Sequence, residues 1–295
     1  MQNKILKESR KHGDIFLPIS KYRMDISNSK MVLDCHWHEE LELFKILKGR
    51  FRFQIASQYF DVQEGDLLFI NSGELHSAMA EQNGDFVYLA VVFSPDMLEG
   101  PANDKIQLEY LSPLLDGTLT VQRIFQQKTP QENNLQNCFN QIYALLEEKP
   151  RAYEITVKAN LFFLLSQLVQ TNSIQTQPNN RRDTATAESI KNAISYMQDN
   201  YQKSMTVAIL AKHCNLSEGH FCRMFKRYTM KTPIAYMNCF RLTKAAELLE
   251  STDRKILDIA LDSGFNSLSY FVNVFHESMG CTPSEFRRKS NNSLF

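Results

Sequence analysis

Four residues in the N-terminal third have the types and spacing of a ligand-binding cluster. His36-x-His38-x3-Glu42-x6-Gly49 is followed by Gly65-x5-Asn71-x-Gly73-x2-His76. Alternate residues of a strand face one side, so His36, His38 and Glu42 can converge, and His76 on a later strand can join them. Three imidazoles and a carboxylate make an N3O set that suits a divalent metal. The same four groups can instead hydrogen-bond a polar effector such as a sugar, or serve packing and turn hydrogen bonds alone. From the residues, all three readings stand. No cofactor is assigned beyond that divalent metal, and no residue is assigned a catalytic role. Trp37 lies between the two histidines and points to the opposite face, as a core residue does.

The elements that must position this cluster are strands. From about Ile15 to Phe93 apolar and polar residues alternate in short runs, as in Phe51-Arg52-Phe53-Gln54-Ile55, punctuated by Gly49, Gly65, Gly73 and Gly84. Many short strands at such spacing predict an antiparallel barrel or sandwich. From about Asn103 to Gln170 the pattern is helical. Leu161, Leu164, Leu165 and Leu168 form an i, i+3, i+4, i+7 stripe, read either as a core face or as a dimer interface. The polar, proline-containing stretch Thr171–Ala187 reads as an interdomain linker. The expected organisation is a sensor barrel over 14–95, a helical dimerisation segment over 96–170, a linker over 171–187 and an all-α domain over 188–289. The polar segment Met1–Asp14 lacks a core pattern of its own and is expected to order over a ligand.

The all-α domain contains a repeat. At an offset of 50 residues Ser217 matches Ser267, Phe221 matches Phe271, Phe225 matches Phe275, and Thr232-Pro233 matches Thr282-Pro283. Ala211 to Phe221 spans ten positions and Ala260 to Phe271 eleven, so the second copy has one inserted residue. Two copies of one helix-turn-helix are predicted, over about 206–228 and 256–278. The intervening helix, about Pro233 to Glu250, is about 26 Å long. Such a rod can hold two recognition helices in successive major grooves, which repeat every ~34 Å.

On this reading DNA meets Ser217, Glu218, Gly219, His220, Cys222 and Arg223 in the first unit. In the second it meets Ser267, Leu268, Ser269, Val272 and Asn273. Arg223 suits a guanine edge and Asn273 an adenine edge. Lys226, Arg227, Arg241, His276, Arg287 and Arg288 are candidate phosphate contacts.

The segments SEGHFCRMFKRYTMKTPIAYMNCFRLTKAAELL and ILDIALDSGFNSLSYFVNVFHESMGCTPSEFRR resemble the AraC/XylS family of bacterial transcription regulators, over roughly Glu188 to Lys289. The resemblance implies a seven-helix bipartite DNA-binding domain, an activator beside a promoter, and RNA polymerase as a partner. Three positions depart from the family pattern. Met230 stands where the first recognition helix usually ends in glycine, Cys239 replaces a frequent basic residue, and Gly219 puts no side chain at a common base-reading position. The histidine motifs are similar to those of cupins, with Asn71 where proline is usual and Ala80 where the closing asparagine is usual. Such sensors are the usual partner of this DNA-binding domain in sugar regulators, which makes a carbohydrate the leading effector class. The fold class is therefore α+β and multidomain: a cupin-like β-barrel with a helical dimerisation segment, then a domain with two helix-turn-helix units.

Composition agrees with this division. The 295-residue chain is 43% hydrophobic and 22% charged with zero net charge. From Glu188 onward 8 lysines and 6 arginines face 10 acidic residues, a net of +4, leaving −4 for the rest. A basic module beside an acidic one suits nucleic acid plus a separate sensor. No apolar run reaches the ~18 residues of a membrane span, and the polar start has no signal pattern. The six cysteines lack paired spacing, as expected for reduced thiols in the cytoplasm. The chain thus reads as a cytoplasmic, homodimeric, effector-responsive activator that binds double-stranded DNA and no membrane, and not as an enzyme. The rival reading is a metal-dependent cupin enzyme fused to a DNA-binding domain; turnover by the N-terminal half without DNA would separate the two.

Overall fold

The computed structural model describes residues 12–100, 104–126, 129–176 and 181–292. The chain divides into two compact units, with the boundary between Arg181 and Arg182. In the first, strands β1 (Ile19–His36), β2 (Leu41–Lys48), β3 (Arg50–Ile55), β4 (Gln58–Gln63), β5 (Leu67–Ile70) and β6 (His76–Phe93) come first. A short helix α1 (Ser112–Leu115), β7 (Leu119–Val121) and β8 (Ile124–Phe125) follow, then α2 (Pro130–Glu148), α3 (Tyr153–Gln170) and β9 (Ile174–Thr176). Seven strands form a curled antiparallel sheet, a half-barrel, in the order β4-β3-β6-β2-β5-β8, with β1 also paired to β6.

Period-two alternation decides what each face of this sheet meets. On one face Leu43, Phe69 and Val91 pack with Phe139, Ile142, Leu161 and Leu165 of α2 and α3. On the other, Phe44, Leu68 and Ala90 pack with Phe53, Ile55 and Tyr88 inside the curl. Most of β2 is buried, with Glu42 among its apolar residues Leu41, Leu43, Phe44 and Ile46. Pro130 in the first turn and a reciprocal cap between Thr129 and Glu132 start α2.

Two sequence expectations need correction here. Leu161, Leu164, Leu165 and Leu168 are not a protomer contact: all four are buried in the core shared with the sheet. The expected linker over 171–187 is also partly regular structure. Ile174–Thr176 pairs with β7, and a helix begins at Arg181. Neither was legible, because β7 and β9 are three residues long and the first buried apolar residue of that helix is Ile190.

The second unit comprises α4 (Arg181–Asp199), α5 (Val207–His213), α6 (Glu218–Thr229), α7 (Pro233–Ser251), α8 (Ile256–Asp262), α9 (Leu268–Met279) and α10 (Pro283–Asn292). Both first helices of the repeat have seven residues and both second helices twelve. Asn215 and Gly264 occupy equivalent left-handed positions after α5 and α8. The amide of Leu216 then returns to Ala211, as that of Phe265 returns to Ala260. The inserted residue is therefore Asn266, between that return and the Ser267 cap.

Candidate effector site and nucleic-acid interface

The four cluster residues reach one place from four elements. His36 ends β1 directly opposite His76, the first residue of β6. His38 lies in the turn after β1 and Glu42 on β2. The convergence thus comes from strand pairing and a turn rather than from alternation along one strand. The Gly73 amide donates to the His38 carbonyl at 2.8 Å and the Ser72 hydroxyl to that of Glu39 at 2.6 Å. Asn71, at the position where cupins usually have proline, donates to Glu74 and accepts from the Val121 amide at 3.0 Å. It thereby anchors the turn to β7.

All four residues are buried, and one ligand atom from each lies within 4.8 Å of the others. Each imidazole has its Nδ1 beside a main-chain carbonyl: His36 to Asp34 at 2.8 Å, His38 to Glu40 at 3.1 Å, His76 to Glu74 at 2.8 Å. A carbonyl only accepts, so Nδ1 carries the proton and a neutral ring keeps its lone pair on Nε2. The Nε2 atoms of His38 and His76 lie 3.1 and 3.2 Å from Glu42 Oε2. With neutral rings these contacts set acceptor against acceptor; a proton on the imidazole or a metal cation among them makes them attractive. Burial alone would push the Glu42 carboxyl up, but hydrogen bonds from His38 and His76, and their charge, hold it well below the usual range. The donor set fits a divalent transition metal, and the backbone carbonyls supply the outer partners that such histidines need. Trp37 is buried.

The sequence reading missed His12. It is buried, its Nδ1 lies 2.9 Å from the Tyr22 hydroxyl, and its ring centre is 5.5 Å from that of His38. No spacing singles it out, since it belongs to a polar segment without periodicity. Residues 1–11 of that segment lie outside the described residues.

In the second unit α6 buries Phe221 and Phe225, and α9 buries Phe271 and Phe275. The opposite faces leave Ser217, Glu218, Gly219, His220, Arg223, Lys226 and Arg227 exposed in the first helix-turn-helix. Ser267, Leu268, Ser269, Asn273 and His276 are exposed in the second. Cys222 is half-buried, and Val272 turns partly inward against the second unit's core.

A family model described as an AraC-like ligand binding domain matches residues 30–165, and one described as a helix-turn-helix domain matches 210–289. The chain belongs to the AraC/XylS family of transcription regulators. It is 29% identical over 287 residues, 97% of each chain, to the uncharacterized HTH-type transcriptional regulator YdeC of Bacillus subtilis. It is 25% identical to the HTH-type transcriptional activator RhaS of Escherichia fergusonii over 88% of this chain and 89% of the other. The melibiose operon regulatory protein of Escherichia coli is 31% identical over 101 residues, 34% of this chain and 33% of that one. This AraC/XylS-family chain is a sequence-specific DNA-binding regulator with a ligand-binding N-terminal domain, and its relatives are transcription regulators rather than enzymes. Among the described residues no helix is long and apolar enough to cross a membrane.

The three departures from the AraC/XylS pattern now have a setting. Met230 ends α6 at φ 59°, in the left-handed region, where Gly280 ends α9 at φ 69°. A residue with a Cβ is strained there by about 1 kcal/mol. Met230→Gly should therefore stabilise the second unit by up to about that amount, read as a higher urea midpoint; a lower midpoint would show that the methionine side chain outweighs the strain. Cys239 is half-buried on α7, and Gly219 is exposed, where a Cβ would meet the Arg223 guanidinium at 3.9 Å. Two phosphate candidates are otherwise engaged. Arg287 Nη2 donates to the Arg254 carbonyl at 2.7 Å, and both Arg241 Nε and Nη2 donate to backbone carbonyls at 2.8 Å. Burial lowers the Arg241 pKa from its ordinary value. Arg288 is exposed.

Proposed function

We propose that this protein is an effector-responsive activator of transcription, working in the cytoplasm as a homodimer with RNA polymerase as partner. Its effector is a polar small molecule, with sugars as the leading class, received at His36, His38, Glu42 and His76 around a divalent metal. The observation that carries the sensor reading is the buried cluster itself: three imidazoles and a carboxylate, each with a ligand atom within 4.8 Å of the others, are costly to bury for packing alone. Similarity to a regulator named for the melibiose operon supports a sugar, and similarity to an activator supports activation. The metal would supply a Lewis-acidic centre for a hydroxyl or carbonyl group of the ligand. The chain's own histidines orient it through their Nδ1 hydrogen bonds. A cupin enzyme is disfavoured because the regulator relatives match nearly the whole chain.

The test is the melting temperature of the full-length protein with Mn(II), Ni(II) or Zn(II), with a chelator, and then with a panel of sugars. Metal should raise the midpoint and the chelator reverse it. The gain should shrink as pH falls, since the histidines must be neutral to bind. Glu42→Ala should abolish the metal and sugar responses while basal DNA affinity stays at the wild-type value. A variant that responds like wild type would remove these residues from the site.

The dimer reading moves to the other face of α3. Ile155 is 73% exposed and Phe163 51% exposed, one either side of exposed Ala159 at helical spacing. Ile155→Glu with Phe163→Glu should give a folded monomer by light scattering at tens of micromolar. An unchanged dimer mass would place the contact elsewhere, and a wild-type monomer would end the dimer reading.

A further inference from the structure

Arg241 lies midway along α7, the helix that joins the two helix-turn-helix units. Its Nε donates to the Tyr201 carbonyl and its Nη2 to the Lys203 carbonyl, both at 2.8 Å. Those carbonyls belong to the loop between α4 and α5, at the entrance to the first unit. The guanidinium carbon also lies 5.9 Å from the centre of the Phe265 ring, in the turn of the second unit. Beside it Gly264 has φ +86°. A Cβ there would come within 2.4 Å of the Tyr201 carbonyl oxygen and 2.8 Å of Arg241 Nε. Phe265 in turn is buried and 5.1 Å, ring to ring, from Phe271 of the second recognition helix. Two segments distant in sequence therefore close on one α7 side chain, one at the entrance to the first helix-turn-helix and the other in the turn of the second.

We propose that Arg241 is a positioning residue that fixes the spacing and angle between the two recognition helices, so that both halves of a bipartite DNA site are engaged together. The planar guanidinium presents N–H groups in a rigid fork and can hold two carbonyls at a set angle. A lysine ammonium keeps the charge but not the fork. Two linked binding modules gain affinity from each other only when the geometry lets both engage at once. A joint that loosens at mid-α7 forfeits that gain while leaving each unit's own DNA contacts in place. The inference rests on both recognition helices reading DNA.

The experiment uses full-length protein and a duplex selected from a random library by the wild type. Companion duplexes have either half scrambled, or one base pair inserted between the halves. Wild type should prefer the intact duplex to either half and lose affinity on the insertion. Arg241→Lys and Gly264→Ala should bind the single halves as wild type does. On the intact duplex they should lose on the order of 100-fold, the scale of a linked-site gain. They should also tolerate the insertion and keep the wild-type slope of log affinity against log salt. If Arg241→Lys binds the intact duplex like wild type while Arg241→Ala weakens all duplexes equally and lowers the slope by about one, Arg241 is a phosphate contact and the proposal fails. Equal losses on half and intact duplexes would reduce it to a general scaffold residue. A wild type with no preference for the intact duplex would overturn the bipartite reading itself.

Discussion

Leu161→Glu with Leu165→Glu will unfold the first unit rather than dissociate a dimer. Both leucines are buried, at 1% and 6% exposure, between the sheet face carrying Leu43, Phe69 and Val91 and the α2 residues Phe139 and Ile142. Emptying one such site costs about 2–5 kcal/mol. An unpaired carboxylate placed there adds its own desolvation. Two together exceed the ~5–15 kcal/mol that holds a domain of this size or come close to it. Near-ultraviolet circular dichroism and limited proteolysis of the full chain read the result. The signature of packed aromatics in the sheet should vanish and cleavage should begin within residues 12–176. A variant with wild-type spectra and a smaller mass would contradict the packing described here.

That stripe illustrates what the sequence could and could not say. The i, i+3, i+4, i+7 spacing correctly marks a helix, but α3 is apolar around much of its circumference, with Ile155, Phe162 and Phe163 outside the stripe. A single helix does not state which apolar face meets its own sheet. The strands were legible where one face is inner and one outer, as at Phe51 and Phe53 flanking exposed Arg52. They were not legible where pairing alone defines them, as for β7 and β9. The repeat was the most readable feature, because its serine and threonine caps, buried phenylalanines and turn residues are each demanded by local geometry. The sequence named the cluster His36, His38, Glu42 and His76 but gave the wrong reason for its convergence. It could not show the Nδ1–carbonyl contacts, which depend on the register irregularity of β1 between Leu33 and His36, on the bend at Glu40 and on the loop at Glu74. The hydrogen bonds of Arg241 to the Tyr201 and Lys203 carbonyls were not legible, because an arginine on a helix looks the same in sequence whether it faces solvent or main-chain carbonyls.

Arg223→Ala combined with Asn273→Ala will cost about 2–6 kcal/mol on a specific duplex and relax one base preference in each half-site. Both side chains are exposed, on the faces of α6 and α9 opposite Phe221–Phe225 and Phe271–Phe275. A bidentate base contact discriminates by about 1–3 kcal/mol. The two lie in separate units, so their effects should add. Lys226→Ala should act differently. It should weaken specific and random duplexes alike and lower the salt slope by about one. Gel-shift titrations at several salt concentrations separate the two behaviours. Unchanged base preference in the double variant would mean that the reading faces lie elsewhere on α6 and α9.

The central claim is that two recognition helices, joined by the ~28 Å rod of α7, read one bipartite site. Selection of duplexes from a random library by the full-length protein, followed by sequencing, tests it most directly. The expected outcome is two conserved blocks whose centres lie about one helical turn apart, roughly 10–11 base pairs. One compact block, or no enrichment over the starting library, would contradict the account.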